Sequence, residues 1–344
     1  MLRVVYGHFA AQLNRLWYPT KKAPPFIYAL IGLAGLYRFM VYCRAFLYRL
    51  GLKHRQRFPV PVIVVGNISV GGTGKTPLVA WLIHFLQKQG YRPGIVSRGY
   101  GASGQHWPKI VTAESHPEYV GDEPLMLKLQ TGCPVVVAPN RIQAAQRLLA
   151  SGCNVIISDD GLQHYALVRD IEIAVIDGER RLGNGFCLPM GPLREAPSRL
   201  RSVDFIVCNG EPRVGEFSMR IVPQSLVSLC DAHLQITIAE LASQKIIAVA
   251  GIGHPERFFK ILSDMGLPFK KKIFRDHHRY QKKDFDFVGA NDIVVMTEKD
   301  AVKCRSFADR RFYMLPIMAV LGEDFSQALR CKLQSFAIGA RNIF

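Results

Sequence analysis

Short apolar, β-branched runs alternate with helical patterns through the middle of the chain. Pro61 to Gly66, "PVIVVG", reads as a strand buried on both faces. "TPLVAWLIHFLQKQG" follows with helical periodicity and a glycine stop at Gly90. "GIVS", "PVVVAP", "NVIISDD", "IEIAVID" and "DFIVCNG" continue the strand series to about residue 210. This alternation predicts an α/β fold, a mostly parallel sheet with helices on both faces. Residues 211–235 lack helical periodicity and include "FSMRIVP", which predicts a linker with strands. A second α/β unit starts at "KIIAVAGIGHPERFFKIL" and adds the strand of "NDIVVMTEKD". The expected organisation is an N-terminal helix region (1–58), a larger α/β domain (59–210), the linker (211–235) and a smaller α/β domain (236–344).

The N-terminal region has a different pattern. Twelve apolar residues, Phe26 to Tyr37, end at Arg38. A bilayer span needs about 20. On a helical wheel Arg38, Arg44, Arg49, Lys53 and Arg55 fill about half the circumference. Phe39, Met40, Cys43, Phe46, Leu47 and Leu50 fill the opposite arc. A basic and apolar helix of this kind suits a membrane interface; the competing reading is a helix packed on the domain with its arginines in water. No clear signal-peptide pattern precedes it.

Length and charge sharpen this picture. The 344 residues suffice for two domains, and 49% hydrophobic against 21% charged residues excludes a disordered chain. Eight cysteines form no C-x-x-C pair, so reduced thiols are expected rather than a zinc or disulfide framework. The net charge of +17 is concentrated at the start: the first 113 residues hold 15 Lys and Arg and no acid, the rest 29 basic and 27 acidic groups. Such a basic third attracts an anionic partner. With no nucleic-acid-binding motif in the chain, an anionic membrane surface is preferred to nucleic acid.

The chemistry begins at "GNISVGGTGKTP". Gly74-Lys75-Thr76 fit the P-loop rule G-x-x-x-x-G-K-[ST], but Ser69 stands where the rule has its first glycine. The strand–loop–helix context supports a P-loop. Ser69, Val70, Gly71, Gly72, Thr73, Gly74, Lys75 and Thr76 would wrap a phosphate chain with main-chain N–H groups at a helix N-terminus. Lys75 would reach the β/γ-phosphates and the Thr76 hydroxyl would bind Mg²⁺. Asp159 and Asp160 end the strand of "NVIISDDGLQH", the edge of a parallel sheet where ligands bind, and one of them would hold the metal. Asp122 of "GDEP" starts a predicted helix, where an N-cap is the ordinary use of Asp. The Gly251-Ile-Gly253 turn fails as a dinucleotide fingerprint because residue 256 is Glu. A dimerising membrane ATPase would carry lysine where Val70 stands, and a GTPase switch would carry N-K-x-D where "TEKD" has its lysine one position late. Both stay as alternatives to an acceptor kinase.

The ordered set "GNISVGGTGKTP", "SRGYG", "GDEP", "SDDGLQH", "GPLRE" and "DHH" resembles the tetraacyldisaccharide 4′-kinase (lipid A 4′-kinase) family, from the N-terminal helix to "MTEKDAVK". That family's loop also lacks the first glycine. The resemblance implies a P-loop NTPase-like domain and a smaller α/β domain with ATP bound in the cleft between them, closing to exclude water. It implies transfer of the γ-phosphate of ATP, with Mg²⁺, to the 4′-hydroxyl of a tetraacyl glucosamine disaccharide 1-phosphate, giving lipid IV-A. It also implies peripheral attachment to the cytoplasmic face of the bacterial inner membrane. Residue by residue, it makes Asp122 the base and His277 its partner, with His278 the alternative. Adjacent residues of an extended segment face opposite ways, so only one of the two histidines should reach the site. Glu195 becomes a candidate for the metal or nucleotide, Arg98, Arg141 and Arg194 for phosphate, and Gln163 and His164 for the acceptor.

Overall fold

Residues 16–18, 30–231, 234–241 and 244–341 are described by the computed structural model. The first four residues of the apolar run, 26–29, lie outside them, as do 1–15 of the N-terminal region. The longer helices are α1 (Ile31–Arg49), α2 (Lys75–Lys88), α3 (Asp122–Thr131), α4 (Arg141–Ala150), α5 (Pro255–Asp264), α6 (Glu298–Cys304) and α7 (Glu323–Arg341). The strands are β1 (Val62–Gly66), β2 (Pro93–Ser97), β3 (Lys109–Val111), β4 (Val135–Val137), β5 (Val155–Ser158), β6 (Ile171–Asp177), β7 (Phe205–Asn209) and β8 (Phe217–Pro223). There follow β9 (Leu226–Ser228), β10 (Gln235–Ile236), β11 (Lys245–Ala250), β12 (Phe269–Ile273), β13 (Asp292–Thr297), β14 (Phe312–Leu315) and β15 (Ile317–Leu321).

These elements form two compact units, neither continuous in sequence. One comprises the described residues of Met1–Lys75, Ser158–Met219 and Leu321–Phe344; the other comprises Thr76–Ile157 and Arg220–Val320.

In the first unit β1 pairs parallel with β6, β6 with β7 and β7 with β8. Every residue of β1 is buried, as its unbroken apolar run requires of a strand covered on both faces. Phe325 of α7 closes a cluster with Phe205 and Phe217, its ring 5.6 Å and 5.2 Å from theirs. Helix α1 packs through a stripe of buried or half-buried residues at helical spacing: Ala34, Tyr37, Val41, Ala45 and Tyr48. Tyr37 donates to the Arg194 carbonyl at 3.2 Å, and Ala34 packs with Met190. That stripe is not the apolar arc read from the wheel. Phe39 is 62% exposed, and Leu33, Leu36, Met40, Phe46 and Leu50 are exposed too. No helix among the described residues is long and apolar enough to cross a membrane.

The second unit has β2 and β4 in parallel with β3 antiparallel at their side. Its six-stranded sheet has the order β10-β9-β14-β13-β11-β12. The last four strands in that order run parallel, and β9 and β10 are antiparallel additions from the segment 211–236. One face buries Phe258, Phe259 and Leu262 of α5. The other buries Tyr280, Phe285 and Ala301. Both units have the α/β character and mostly parallel pairing expected of the chain.

One ionisable group in this unit carries no evident chemistry. Glu298, the first residue of α6, is buried, and its Oε2 accepts from the Ile317 N–H at 3.0 Å. Burial pushes its carboxyl up to about 7, against the pull of that hydrogen bond. The folded chain therefore holds this proton more tightly than the unfolded chain. The stability it contributes is full below the ordinary carboxylate range and is lost as pH rises toward 7. Glu298→Gln, which keeps an acceptor oxygen without the charge, should raise the thermal midpoint by roughly 2–6 °C at pH 8 and leave it nearly unchanged at pH 5. An equal shift at both pH values would contradict this account.

Candidate active site

The glycine-rich loop is held from several sides within the first unit. Gly71 and Gly74 have φ of 106° and 96°, where a side chain is strained. Among the described residues the non-glycine positions with positive φ are Asp160, Arg181 and His277, so Ser69 needs no glycine conformation. Ser69 instead bridges Leu193, the Val70 N–H donates to the Pro192 carbonyl at 2.8 Å, and the Arg194 N–H donates to the Ile68 carbonyl at 2.7 Å. The "GPLRE" segment thus backs the loop as a strand would. Asn209, at the end of β7, donates to the Thr73 carbonyl at 3.3 Å, and a Cβ on Gly74 would fall 2.8 Å from the same amide nitrogen. Lys75 Nζ donates to Asn67 Oδ1 at 3.2 Å and lies 3.5 Å from Asp160 Oδ1. Asn67 is fully buried and its own amide reaches the Gly71 carbonyl at 3.4 Å. Beside the loop, Tyr18, Asp177, Arg180 and Arg181 line a recess with residues 69–73.

The acidic candidates divide by their partners. Asp160, at φ 48°, is gripped by both carboxylate oxygens from Arg194 Nη1, at 3.0 and 2.9 Å. Glu195 is buried, and its oxygens accept from Gln163 at 2.7 Å and from the Tyr165 hydroxyl, with Arg199 Nε at 3.4 Å. Burial, and then Glu195, raise the Tyr165 pKa, so the phenol stays protonated and donates. Gln163 also donates to the Asn67 carbonyl at 3.0 Å. The structure therefore places Gln163 and Glu195, expected at acceptor and metal, together in a hydrogen-bonded support under the loop. Asp159 is buried at the end of β5. The His164 carbonyl accepts from Arg169 at 2.7 Å.

A second constellation lies in the second unit. Gly121, at φ 94°, occupies the N-cap of α3 without a side-chain cap. Asp122 is the first helical residue, so the capping reading fails: its carboxylate turns to other side chains. His277 Nδ1 lies 3.2 Å from Asp122 Oδ2, and Lys303 Nζ lies 3.9 Å from the same oxygen. His277 itself is held at φ 58°, a sparsely populated conformation for a non-glycine residue. The adjacent His278 faces away, with Nε2 3.0 Å from Asp284 Oδ2 and its ring 4.7 Å from Phe274 and 4.8 Å from Tyr280. Asp122, His277 and Lys303 line a pocket of about 270 Å³ with Tyr100, His116 and Arg279. Arg141 is buried at the first turn of α4, outside this pocket lining, and Arg98 is exposed.

Sequence reasoning gave no role to Asn67, Asn209 and Tyr165, although Asn67 stands within "GNISVGGTGKTP"; they act through the Gly71 and Thr73 carbonyls, Lys75 and the Glu195 carboxylate. It gave no chemical role to Lys299 and Lys303. The spacing of those two, one helical turn apart, was the available signal.

A strand, a pinned glycine-rich loop and a helix led by Lys75-Thr76 define a P-loop nucleotide-binding protein of the α/β class. Residues 27–334 match the family model described as tetraacyldisaccharide-1-P 4′-kinase, LpxK. A relative named tetraacyldisaccharide 4′-kinase from Nitrosococcus oceani is 46% identical, with 97% of this chain and 98% of the relative covered. One of that name from Alkalilimnicola ehrlichii is 51% identical over 85% of this chain and 88% of its own length. A crystal structure of LpxK from Aquifex aeolicus in complex with ATP superposes with a TM-score of 0.76 at 28% identity, covering 90% of this chain and 99% of that one. The chain belongs to the tetraacyldisaccharide-1-P 4′-kinase family.

The two adjacent histidines should separate in a stability assay. His278→Ala removes a hydrogen bond and two ring contacts and should cost about 1–2 kcal/mol, read as a lowered thermal midpoint. His277→Ala should change the midpoint far less. The reverse order would show that His277 is the structural member of the pair.

Proposed function

We propose that this chain is an ATP-dependent kinase that moves the γ-phosphoryl group to the 4′-hydroxyl of a tetraacyl glucosamine disaccharide 1-phosphate. The observation that carries this reading is the family match over residues 27–334, in a chain whose phosphate loop and Asp122–His277 pair are both built. The loop amides and Lys75 would hold the β- and γ-phosphates and take up the charge that develops on them. The 4′-oxygen attacks the γ-phosphorus while its proton passes to Asp122. The bond from the γ-phosphorus to the bridging oxygen breaks, and ADP leaves with that electron pair. Both contacts to Asp122 from His277 and Lys303 fall on Oδ2, so Oδ1 is the oxygen we assign to the incoming proton.

The donor set suits Mg²⁺, which takes oxygen ligands and is held by one or two carboxylates plus substrate phosphates. We assign the ion to Asp159, which is buried at the carboxyl end of β5, the edge of a parallel sheet where ligands bind. When bound, it would neutralise charge on the β- and γ-oxygens. Asp160 and Arg194 then act as an ion pair that positions Lys75.

We further propose that α1 seats the enzyme on the anionic cytoplasmic face of the inner membrane, where an acylated sugar phosphate resides. Its arc of Leu33, Leu36, Phe39, Met40 and Phe46 is exposed because a different stripe does the packing, and Arg38, Arg44 and Arg49 flank that arc.

The deciding experiment supplies γ-labelled ATP, Mg²⁺ and the disaccharide 1-phosphate in detergent. Label should enter the lipid; release of phosphate without lipid labelling would favour a nucleotide switch. Lys75→Ala should abolish transfer with the thermal midpoint retained. Asp122→Ala should lower kcat at least ~100-fold; a loss of stability alone would remove it as the base. Leu36→Glu/Phe39→Glu/Met40→Glu should release the protein from vesicles of anionic phospholipid, and undiminished binding would exclude α1 as the anchor.

A further inference from the structure

Helix α6 presents two lysines one turn apart to the Asp122–His277 pair, and the nearer one constrains where the histidine can keep its proton. Lys299 Nζ lies 3.3 Å from His277 Nε2. An ammonium has three donors and no acceptor. A hydrogen bond at this place therefore requires that Nε2 offer its lone pair. The single proton of a neutral ring is then on Nδ1, which is 3.2 Å from Asp122 Oδ2, a carboxylate oxygen that can only accept. Both ends of the ring are satisfied by one tautomer. The other tautomer would set an N–H against an ammonium and a lone pair against a carboxylate.

We propose that Lys299 is a positioning residue that locks His277 as the neutral Nδ1–H tautomer, so that the ring orients Asp122 and cannot itself take the proton of the acceptor alcohol. The proposal rests on Asp122 being the base, and assigns the work within the pair.

The surrounding charges support the lock. Lys299 contacts Glu123 Oε1 at 3.1 Å and Asp276 Oδ1 at 3.6 Å. Burial works against its charge, but Glu123, Asp276 and Asp122 outweigh it and raise its pKa, so the ammonium persists. Asp276 also lies 3.9 Å from His277 Nε2, beyond hydrogen-bond reach, and is the group that would favour a proton there if Lys299 were absent. On the other side stands Lys303, whose side chain is only 6% exposed, 2.9 Å from Asp300 Oδ1. Asp300 is fixed in turn by the Gly251 N–H at 2.9 Å and the Thr297 hydroxyl at 2.7 Å. Thr297 caps α6, so the helix start that aims Lys299 and the anchor that aims Lys303 are one structure. The remaining groups near the ring are Tyr100, with its ring at 5.4 Å, and His116, Glu118 and Arg279 around the pocket. Lys299 and Asp276 are the two groups that compete over Nε2.

The test reads the tautomer itself. The full-length protein is labelled with ¹⁵N-histidine, and His277 is assigned by the signal lost in His277→Asn. Wild type should show a protonated Nδ1 and a pyridine-like Nε2 at neutral pH. Lys299→Met should move the ring toward Nε2–H or the doubly protonated form. It should also lower kcat for phosphoryl transfer about 10–100-fold while KM for ATP changes less than about threefold. Lys299→Arg, which still offers only donors, should restore the tautomer and most of kcat. A protonated Nε2 in the wild-type spectrum overturns the proposal. So does an unchanged ring in Lys299→Met. These outcomes are read from the ring nitrogens and so stand apart from loss of activity in Asp122→Ala, which tests the base.

Discussion

A triphosphate tail is a concentrated anion, and main-chain N–H groups are weak individual donors. A loop of such groups binds it well only when the backbone is already in place, because ordering seven or eight residues at the moment of binding would consume much of the gain. In this chain the ordering is done in the fold. Asn67 and Asn209 hold carbonyls on the two arms of the loop, and the 192–194 segment pairs with its entry. Tyr165, Glu195 and Gln163 then brace Asn67 from below. Arg194 and Lys75 share Asp160, so the lysine is held extended rather than free to sample rotamers. The loop owes its rigidity to residues outside the 69–76 stretch that would wrap the phosphates.

The Asp122–His277 constellation obeys a different constraint. It gathers four carboxylates and two ammonium groups around one imidazole, and the excess negative charge is tolerable because Glu123 and Asp276 stay in contact with water, at 39% and 44% exposure. Asp122, Glu123, Asp276 and Asp300 face Lys299 and Lys303 at 2.9–3.9 Å. The left-handed backbone of His277 is the strain that this arrangement sustains. Its neighbour His278, tied to Asp284 and stacked on aromatic rings, anchors the segment so that the strained residue keeps its aim.

Much of this was legible in the chain. β1, the loop and α2 follow from local signals: an apolar β-branched run, glycines and a helical period. Asp159 and Asp160 were readable because strand ends of parallel sheets are where ligands meet acidic groups. The apolar arc of α1, with Phe39 and Met40, was legible from the wheel and is largely exposed, but the packing stripe of Ala34, Tyr37, Val41 and Ala45 was not. Small and aromatic residues can pack there without forming the strongest apolar face. The partners of Asp122 were beyond local reading, since His277 lies 155 positions away and nothing near Asp122 announces it. Asn67 was missed for a related reason: a buried amide looks like any surface one until its partners are known. The division into units by contacts likewise joins stretches that chain order separates.

The first unit has a consequence for biosynthesis. Its loop and β1 emerge early, β6 to β8 about a hundred residues later, and Phe325, which packs on Phe205 and Phe217, about a hundred residues later again. At about 5–20 residues per second, α1 is outside the ribosome for tens of seconds before those supports exist. Its greasy surface is thus presented to the cell while the nucleotide loop is still unsupported. A nascent chain that settles on lipid during that interval would finish folding on the surface we propose for it.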